Sequence, residues 1–99
     1  MLANDVRADV VFRKWNKTDD VIALFPYIKG DTGGRYCLSY EHVGQHGQAD
    51  YTGLLIVTTL AKEQEYRTLK QELEQIGYHL NIIKRASRTR IASNQEKED

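Results

Sequence analysis

The sequence predicts an α+β fold in which about five strands form a mainly antiparallel sheet and one helix packs on one face. Two observations lead to this fold class. Several short segments rich in β-branched and aromatic residues are separated by turn residues, and one segment, about residues 62–76, has the apolar spacing of an amphipathic helix. A further apolar segment follows the helix, so the predicted order is β-β-β-β-α-β.

The first two strands are predicted at VVFRKW (residues 10–15) and VIALFPYI (residues 21–28), because the polar turn NKTDD separates two runs of strand-like composition. Pro26 has no N–H to donate to a neighbouring strand. The second strand should therefore either lie at an edge of the sheet or stop pairing normally near Pro26.

The third strand is predicted at YCLSYEHV (residues 36–43), where alternation places Tyr40 and His42 on the core side and Cys37 on the opposite face. A glycine-containing loop is predicted at residues 44–53. The apolar run LLIVTTL (residues 54–60) then predicts a central strand that is buried on both faces.

The helix is predicted with one apolar side and one wet side. Its apolar positions recur at spacings of three, four and three residues: Tyr66, Leu69, Leu73 and Ile76. Gly77 can take the left-handed conformation that ends a helix, and YHLNIIKR (residues 78–85) follows as the last strand.

Length and composition limit the organisation and the class of protein. Ninety-nine residues predict one domain, at residues 9–91, with a mobile N-terminus (residues 1–8) and a mobile polar tail (residues 92–99). Fourteen basic and fourteen acidic side chains balance, which excludes a strong overall field for nucleic acid. One cysteine excludes an internal disulfide, and no apolar run reaches membrane-spanning length or forms a signal peptide, so a cytoplasmic location is predicted.

The segments VVFRKW, VIALFP, CLSYEHVGQHGQADY and ELEQIGYHLNIIKR, in this order, resemble a family of small uncharacterised proteins from bacteria and their phages or other mobile elements. The most specific segment is LSYEHVGQHG, residues 38–47, and the whole resemblance covers about residues 10–85. It implies a compact single domain and a mobile-element context. No activity is assigned to that family, so the resemblance implies no catalytic residue and no cofactor.

Residues 39–53 are the best candidate for a binding surface, because a ten-residue connection with three glycines and many polar side chains is longer than a usual hairpin loop. We therefore predict a non-enzymatic binding protein for a protein or polar ligand, with a host-defence component as the partner if the chain is phage-borne. The predicted contact residues are Tyr40, His42, Gln45, His46, Gln48, Asp50 and Tyr51.

His42 and His46 allow two other hypotheses. Their H-x3-H spacing matches metal ligands on a helix, but the neighbouring glycines disfavour a helix, and only Asp50 or His79 remains to complete a ligand set. The favoured interpretation has no metal and no cofactor. As general base and acid of a ribonuclease or phosphodiesterase, the two histidines would act with Arg35 or Lys29 on the phosphate. Tyr40 or Glu41 would orient one of the rings.

A nucleic-acid-binding protein is the principal alternative. It rests on KRASRTR, residues 84–90, whose four positive charges are Lys84, Arg85, Arg88 and Arg90. The simpler interpretation is that this segment is a charged, solvent-exposed stretch of chain that leads out of the domain. A homodimer formed face to face is a further hypothesis, because six tyrosines are present and one helix leaves the other sheet face uncovered.

Overall fold

A computed structural model describes residues 6–31, 36–41 and 45–87, which form a six-stranded sheet with helices packed against it. The predicted α+β class is confirmed. The strands are β1 (Val6–Trp15), β2 (Val21–Lys29), β3 (Cys37–Glu41), β4 (Gln45–Ala49), β5 (Thr58–Leu60) and β6 (Tyr78–Ile82). The helices are α1 (Tyr51–Val57) and α2 (Glu63–Ile76).

The sheet is organised around β1, which is long enough to pair with two strands along one side. The strand order is β4-β3-β2-β1-β5, and these neighbours are antiparallel. The first half of β1 pairs in parallel with β6, while its last residues pair with β5. Consequently β5 and β6 share one edge of the sheet, and β4 forms the other edge.

The second strand behaves as one of the two alternatives that Pro26 predicts. β2 lies inside the sheet, between β1 and β3, and its register with β3 shifts between Phe25 and Lys29. Pro26 is fully buried at this irregularity. The missing N–H is therefore accommodated by interrupted pairing and not by an edge position.

Two predicted elements are wrong. The predicted loop at residues 44–53 contains β4 and the start of α1, and the predicted central strand at residues 54–60 is the rest of α1 followed by the edge strand β5. A seven-residue apolar run is too short for its periodicity to distinguish helix from strand. Tyr51 and Leu54, one helical turn apart, pack into a core, whereas Ile56 is 81% exposed.

The first core lies between the sheet and α2. Val10, Phe12 and Phe25 project from the sheet onto Leu69 and Leu73 of the helix. These five side chains are between 0% and 4% exposed. The predicted helix is confirmed within one residue of its limits; Leu69 and Leu73 of its predicted apolar face are buried, whereas Ile76 is 43% exposed.

Both ends of α2 are stabilised locally, and the C-terminal end is the one that the sequence predicts. The Glu65 carboxylate accepts a hydrogen bond from the Lys62 backbone N–H, with the two atoms 2.8 Å apart. At the other end Gly77 has φ 126°, and its N–H lies within hydrogen-bonding distance of the Leu73 and Glu74 carbonyls. Glycine alone adopts this backbone region without strain.

The second core lies on the opposite face of the sheet. Val11, Leu24 and Cys37 are buried there beneath α1 and the segment that follows β6, residues 83–86. The Tyr51 hydroxyl accepts a hydrogen bond from the Ala86 N–H at 3.2 Å. The chain itself therefore covers much of this face, which weakens the reason for expecting a face-to-face homodimer.

The limits of the sheet also differ from prediction. β1 begins at Val6, inside the segment predicted as a mobile N-terminus, and β6 ends at Ile82, three residues before the predicted end of the last strand. The predicted C-terminal tail, residues 92–99, lies outside the described residues. Neither helix found in the described ranges has the length and apolar character needed to cross a bilayer.

Candidate binding cleft

A cleft of about 460 Å³ opens on the face of the sheet that carries α1. It exists because α1 has only seven residues and leaves part of this face uncovered. Trp15 and Leu54 line it as apolar side chains, and both are half-buried. Ile22 and Ser39 contribute nearly buried side chains from β2 and β3.

Gly47 keeps the cleft open at the outer strand. It pairs with Ser39, and a methyl group added to Gly47 would lie 3.3 Å from the Ser39 Oγ. Because alternate residues of a strand face the same side, Gly47 and Ala49 are the β4 positions on the cleft side. A larger side chain at residue 47 would project over the serine hydroxyl and narrow the cleft.

Two exposed carboxylates, Glu41 and Asp50, border the cleft. Asp50 precedes α1, where its carbonyl accepts the Leu54 N–H at 2.9 Å and its Oδ1 accepts the Thr52 hydroxyl at 3.2 Å. A methyl group on Gly53 would lie 2.5 Å from the Asp50 Oδ2. The absence of a side chain at residue 53 therefore leaves room for the carboxylate beside the cleft.

No described basic side chain neutralises the two carboxylates of the cleft. In the described parts of the chain no lysine or arginine lines it, and neither Glu41 nor Asp50 forms an ion pair there. Arg13, on the same face of β1, donates to the Thr58 hydroxyl and carbonyl at 3.0 and 2.8 Å. Its guanidinium is thus held at β5.

His46 points to the opposite face, although its backbone borders the cleft. Its Nε2 is 2.8 Å from the Tyr78 hydroxyl, and its ring meets the Tyr40 ring edge-on with centroids 4.8 Å apart. Tyr78 in turn stacks on Phe25 at 5.1 Å, and burial raises the pKa of Tyr78. His46 therefore joins β4 to β6 across the α2 face of the sheet.

The predicted contact residues separate in the structure. Tyr40 and Tyr51 are only 1% and 2% exposed, so their side chains belong to the two cores and do not form a contact surface. Gln48 is exposed on the same side of β4 as His46, by strand alternation. Asp50 borders the cleft, Gln45 is described only as a backbone position of β4, and His42 lies outside the described residues.

Cys37 lacks the properties of a catalytic nucleophile, and the described residues do not test the histidine hypothesis. Burial raises the pKa of the Cys37 thiol to about 12, which leaves it protonated at neutral pH and a poor nucleophile. Of the histidine pair with Arg35, only His46 is among the described residues. Within the described ranges no three His, Cys, Asp or Glu side chains gather as metal ligands.

The basic segment is described only in part. Lys84 and Arg85 are exposed just after β6, and Arg88 and Arg90 lie outside the described residues. Lys84 borders an apolar hollow between β5 and β6, which Phe12 and Tyr66 also line. This edge of the sheet is the one opposite β4.

Sequence reasoning did not include Trp15 or Glu41 among the predicted contact residues, although both border the cleft. The sequence of β3 does carry a signal for Glu41 at this surface, since alternation puts Ser39 and Glu41 on the face opposite Tyr40. Two polar residues on that face indicate a surface that is only partly covered. The contribution of Trp15 depends on the sheet order and had no local signal.

Comparison of the chain with known protein families, with curated proteins and with solved structures finds no match.

Proposed function

We propose that this protein is a non-enzymatic binding module that recognises a positively charged group, such as an arginine side chain of a partner protein, in the cleft beside α1. The observation that supports it is a cleft with an indole wall, two exposed carboxylates and no described lining base. A host protein as the source of that side chain is part of the same proposal.

The chemistry of the cleft suits a cation with an apolar stem. A guanidinium or ammonium group would form charge-assisted hydrogen bonds with Glu41 or Asp50, and each such pair contributes about 0.2–1 kcal/mol at an exposed position. The Trp15 ring can contact the stem or attract the cation through its π face. A phosphate would be repelled by the same carboxylates, so the cleft does not favour nucleic acid.

The size of the cleft agrees with a side chain or small ligand. Its volume of about 460 Å³ falls within the range of about 300–1,000 Å³ that is common for ligand sites. Two residues shape it locally: Gly47 leaves space above Ser39, and Gly53 leaves space for the Asp50 carboxylate. The cleft is therefore present without any rearrangement of the sheet.

The fluorescence of Trp15 tests the proposal directly, because this is the only tryptophan in the chain and it lines the cleft. We would titrate the protein with a short arginine-containing peptide and with the same peptide carrying citrulline, which has the same shape without the charge. We expect a saturable change with the arginine peptide that weakens as salt is raised. An equal response to both peptides would overturn the proposal.

Variants test whether the arginine peptide binds in the cleft. The double substitution Glu41→Gln with Asp50→Asn should weaken binding of the arginine peptide by at least about tenfold, which corresponds to about 1.4 kcal/mol. The matched control, Glu63→Gln with Glu74→Gln, removes the same charge from exposed positions of α2, outside the cleft. Retained binding in the first variant, or an equal loss in the control, would show that the cleft is not the site.

A further inference from the structure

The outer edge of β4, residues 45–49, is an unprotected sheet edge in the described structure. No described strand pairs with it, and it consists of QHGQA, without lysine, acidic residue or proline. Edge strands of soluble proteins usually carry such residues because they prevent pairing with another chain. At the opposite edge β5 has only three residues, and Arg13 bonds to the Thr58 carbonyl there.

The direction of each backbone group follows from the hydrogen bonds of β1. Its Val10 and Phe12 carbonyls accept the N–H groups of Ile83 and Ala61, on the side of β5 and β6. Backbone groups of successive strand residues point to opposite sides. Val11, between them, therefore points its N–H and carbonyl towards β2.

This alternation can be followed across the sheet to β4. Val11 pairs with Leu24, so Leu24 directs its backbone groups towards β1 and away from β3. Ser39 lies opposite Leu24 and consequently bonds to its other neighbour, Gly47. The backbone groups of His46 and Gln48 must then point outwards, to the free edge.

A second observation agrees with this assignment. The Gly30 N–H donates to the Tyr36 carbonyl at 2.8 Å, which shows that the even-numbered residues beside β3 bond towards β2. The odd-numbered residues of β3 therefore bond to β4. The outward direction of the His46 and Gln48 N–H and carbonyl groups therefore follows from two separate sets of hydrogen bonds.

We propose that a second copy of this chain pairs with β4 in antiparallel orientation, with a two-fold axis at Gly47. In this register His46 lies opposite Gln48 of the second copy, so the outward backbone groups of these residues bond to each other on each side of the axis. Gly47 faces its own counterpart at the axis. No charged side chain of β4 opposes a like charge.

Neighbouring registers fit less well. An axis at His46 would set two imidazoles directly opposite each other. An axis at Gln48 would pair His46 with Asp50, but the Asp50 carbonyl already accepts the Leu54 N–H where the chain turns into α1. The axis at Gly47 is therefore the register in which one edge is complementary to itself.

The pairing has a consequence for the cleft. A two-fold axis normal to the sheet keeps the α1 faces of both copies on the same side. Gly47 borders the cleft in each copy and has no side chain to stand between them. The two clefts would thus join into one groove bordered by Glu41 and Asp50 of each copy. The dimer does not depend on the ligand proposed above. Its tests measure association of the chain and need no ligand.

Sedimentation equilibrium tests the dimer. An edge of five residues buries little surface, so we expect a weak, reversible monomer–dimer equilibrium between about 10 μM and about 1 mM. Gln48→Pro removes an outward N–H while sparing the bonds to β3, and should give a monomer. Gln48→Ala keeps the N–H and should remain in equilibrium. A wild-type monomer throughout the range, or a folded proline variant that still dimerises, would overturn the proposal.

Cross-linking decides the register even if the proline variant fails to fold. Residues opposite each other in a non-hydrogen-bonded pair have Cα atoms about 4.5 Å apart, within disulfide range. Gly47→Cys should therefore form a disulfide-linked dimer under mild oxidation, whereas Thr68→Cys, exposed on α2, should not. Cys37 is buried and serves as an internal control in the wild type. Equal cross-linking of both variants, or none at residue 47, would contradict pairing at Gly47.

Discussion

Three glycines differ in how well they would tolerate a side chain, because a different group lies next to each of them. A methyl group on Gly30 would overlap the backbone carbonyl of Cys37, while one on Gly53 would meet only the Asp50 carboxylate. On Gly47 it would lie 3.3 Å from the Ser39 hydroxyl. Backbone cannot move aside as a side chain can. The same substitution should therefore be costly at one site and mild at the others.

Gly30→Ala should lower the free energy of unfolding by about 1–3 kcal/mol, because β2 and β3 must separate to admit the methyl group. Denaturant titration measures this loss. The backbone carbonyl of Cys37 lies against Gly30, so the same separation should expose the buried Cys37 thiol. The thiol should then react faster with a thiol reagent in the native state. Gly53→Ala is the matched control and should change stability by less than about 1 kcal/mol. Equal stability of both variants would refute the steric argument.

Among the elements, α2 is the one whose first turn is joined to the sheet by an ion pair. The Glu65 carboxylate lies 2.7 Å from the Lys14 Nζ and 2.8 Å from the Lys62 backbone nitrogen. Hydrogen bonding to Lys14, with further bonding to Lys62, lowers the pKa of Glu65, and the bond to Glu65 raises the pKa of Lys14. The first turn of α2 is thus coupled to β1 through ionised groups.

This coupling predicts a pH dependence of stability. The pKa of Glu65 in the folded protein is below its ordinary value of 4.5, so its contribution is present above that value and is lost as pH falls through the lowered pKa. We expect the melting temperature to fall on acidification in this window. Glu65→Gln should flatten the curve there, and Glu63→Gln, whose nearest basic partner is 3.8 Å away, should not. Parallel curves for wild type and Glu65→Gln would contradict the assignment.

At the scale of the whole molecule, the sheet separates two cores, and the second is completed by the chain after β6. Ala86 and Ser87 donate their N–H groups to the hydroxyls of Tyr51 and Tyr27, at 3.2 and 2.7 Å. Burial raises the pKa of Tyr51, which keeps the hydroxyl neutral as an acceptor. These bonds hold residues 86–87 against the face that carries α1.

Tyr51→Phe tests the role of that contact. The ring stays in the second core, but the Ala86 N–H loses its acceptor, so we expect a loss of about 1 kcal/mol in stability. Hydrogen exchange should accelerate at the Ala86 amide and stay slow at Leu69, in the other core. Tyr66→Phe, which keeps the ring stacked 4.4 Å from Phe12, is the control. Unchanged exchange at Ala86 would rule out this tether.

Prediction from sequence succeeded where a local pattern was sufficient. The spacing of Leu69 and Leu73 indicated α2 and its buried face, Gly77 indicated where it ends, and Pro26 indicated irregular pairing in β2. It failed between residues 44 and 60, where glycines and polar residues fit a strand as well as a loop, and a short apolar run fits a helix as well as a strand. Of the contact residues predicted from that segment, Tyr51 lies in a core, whereas Asp50 borders the cleft.

The sequence by itself determined the α+β class, most of the strands and the helix α2, because hydrophobic periodicity is a property of neighbouring residues. Only the tertiary structure decided that β4 is a free edge among the described strands, that α1 covers part of the second face, and that Trp15 and Asp50 border one cleft. These features depend on strand order and on the lengths of elements far apart in the chain. No local pattern encodes them, since they arise from which surfaces remain after the strands have paired.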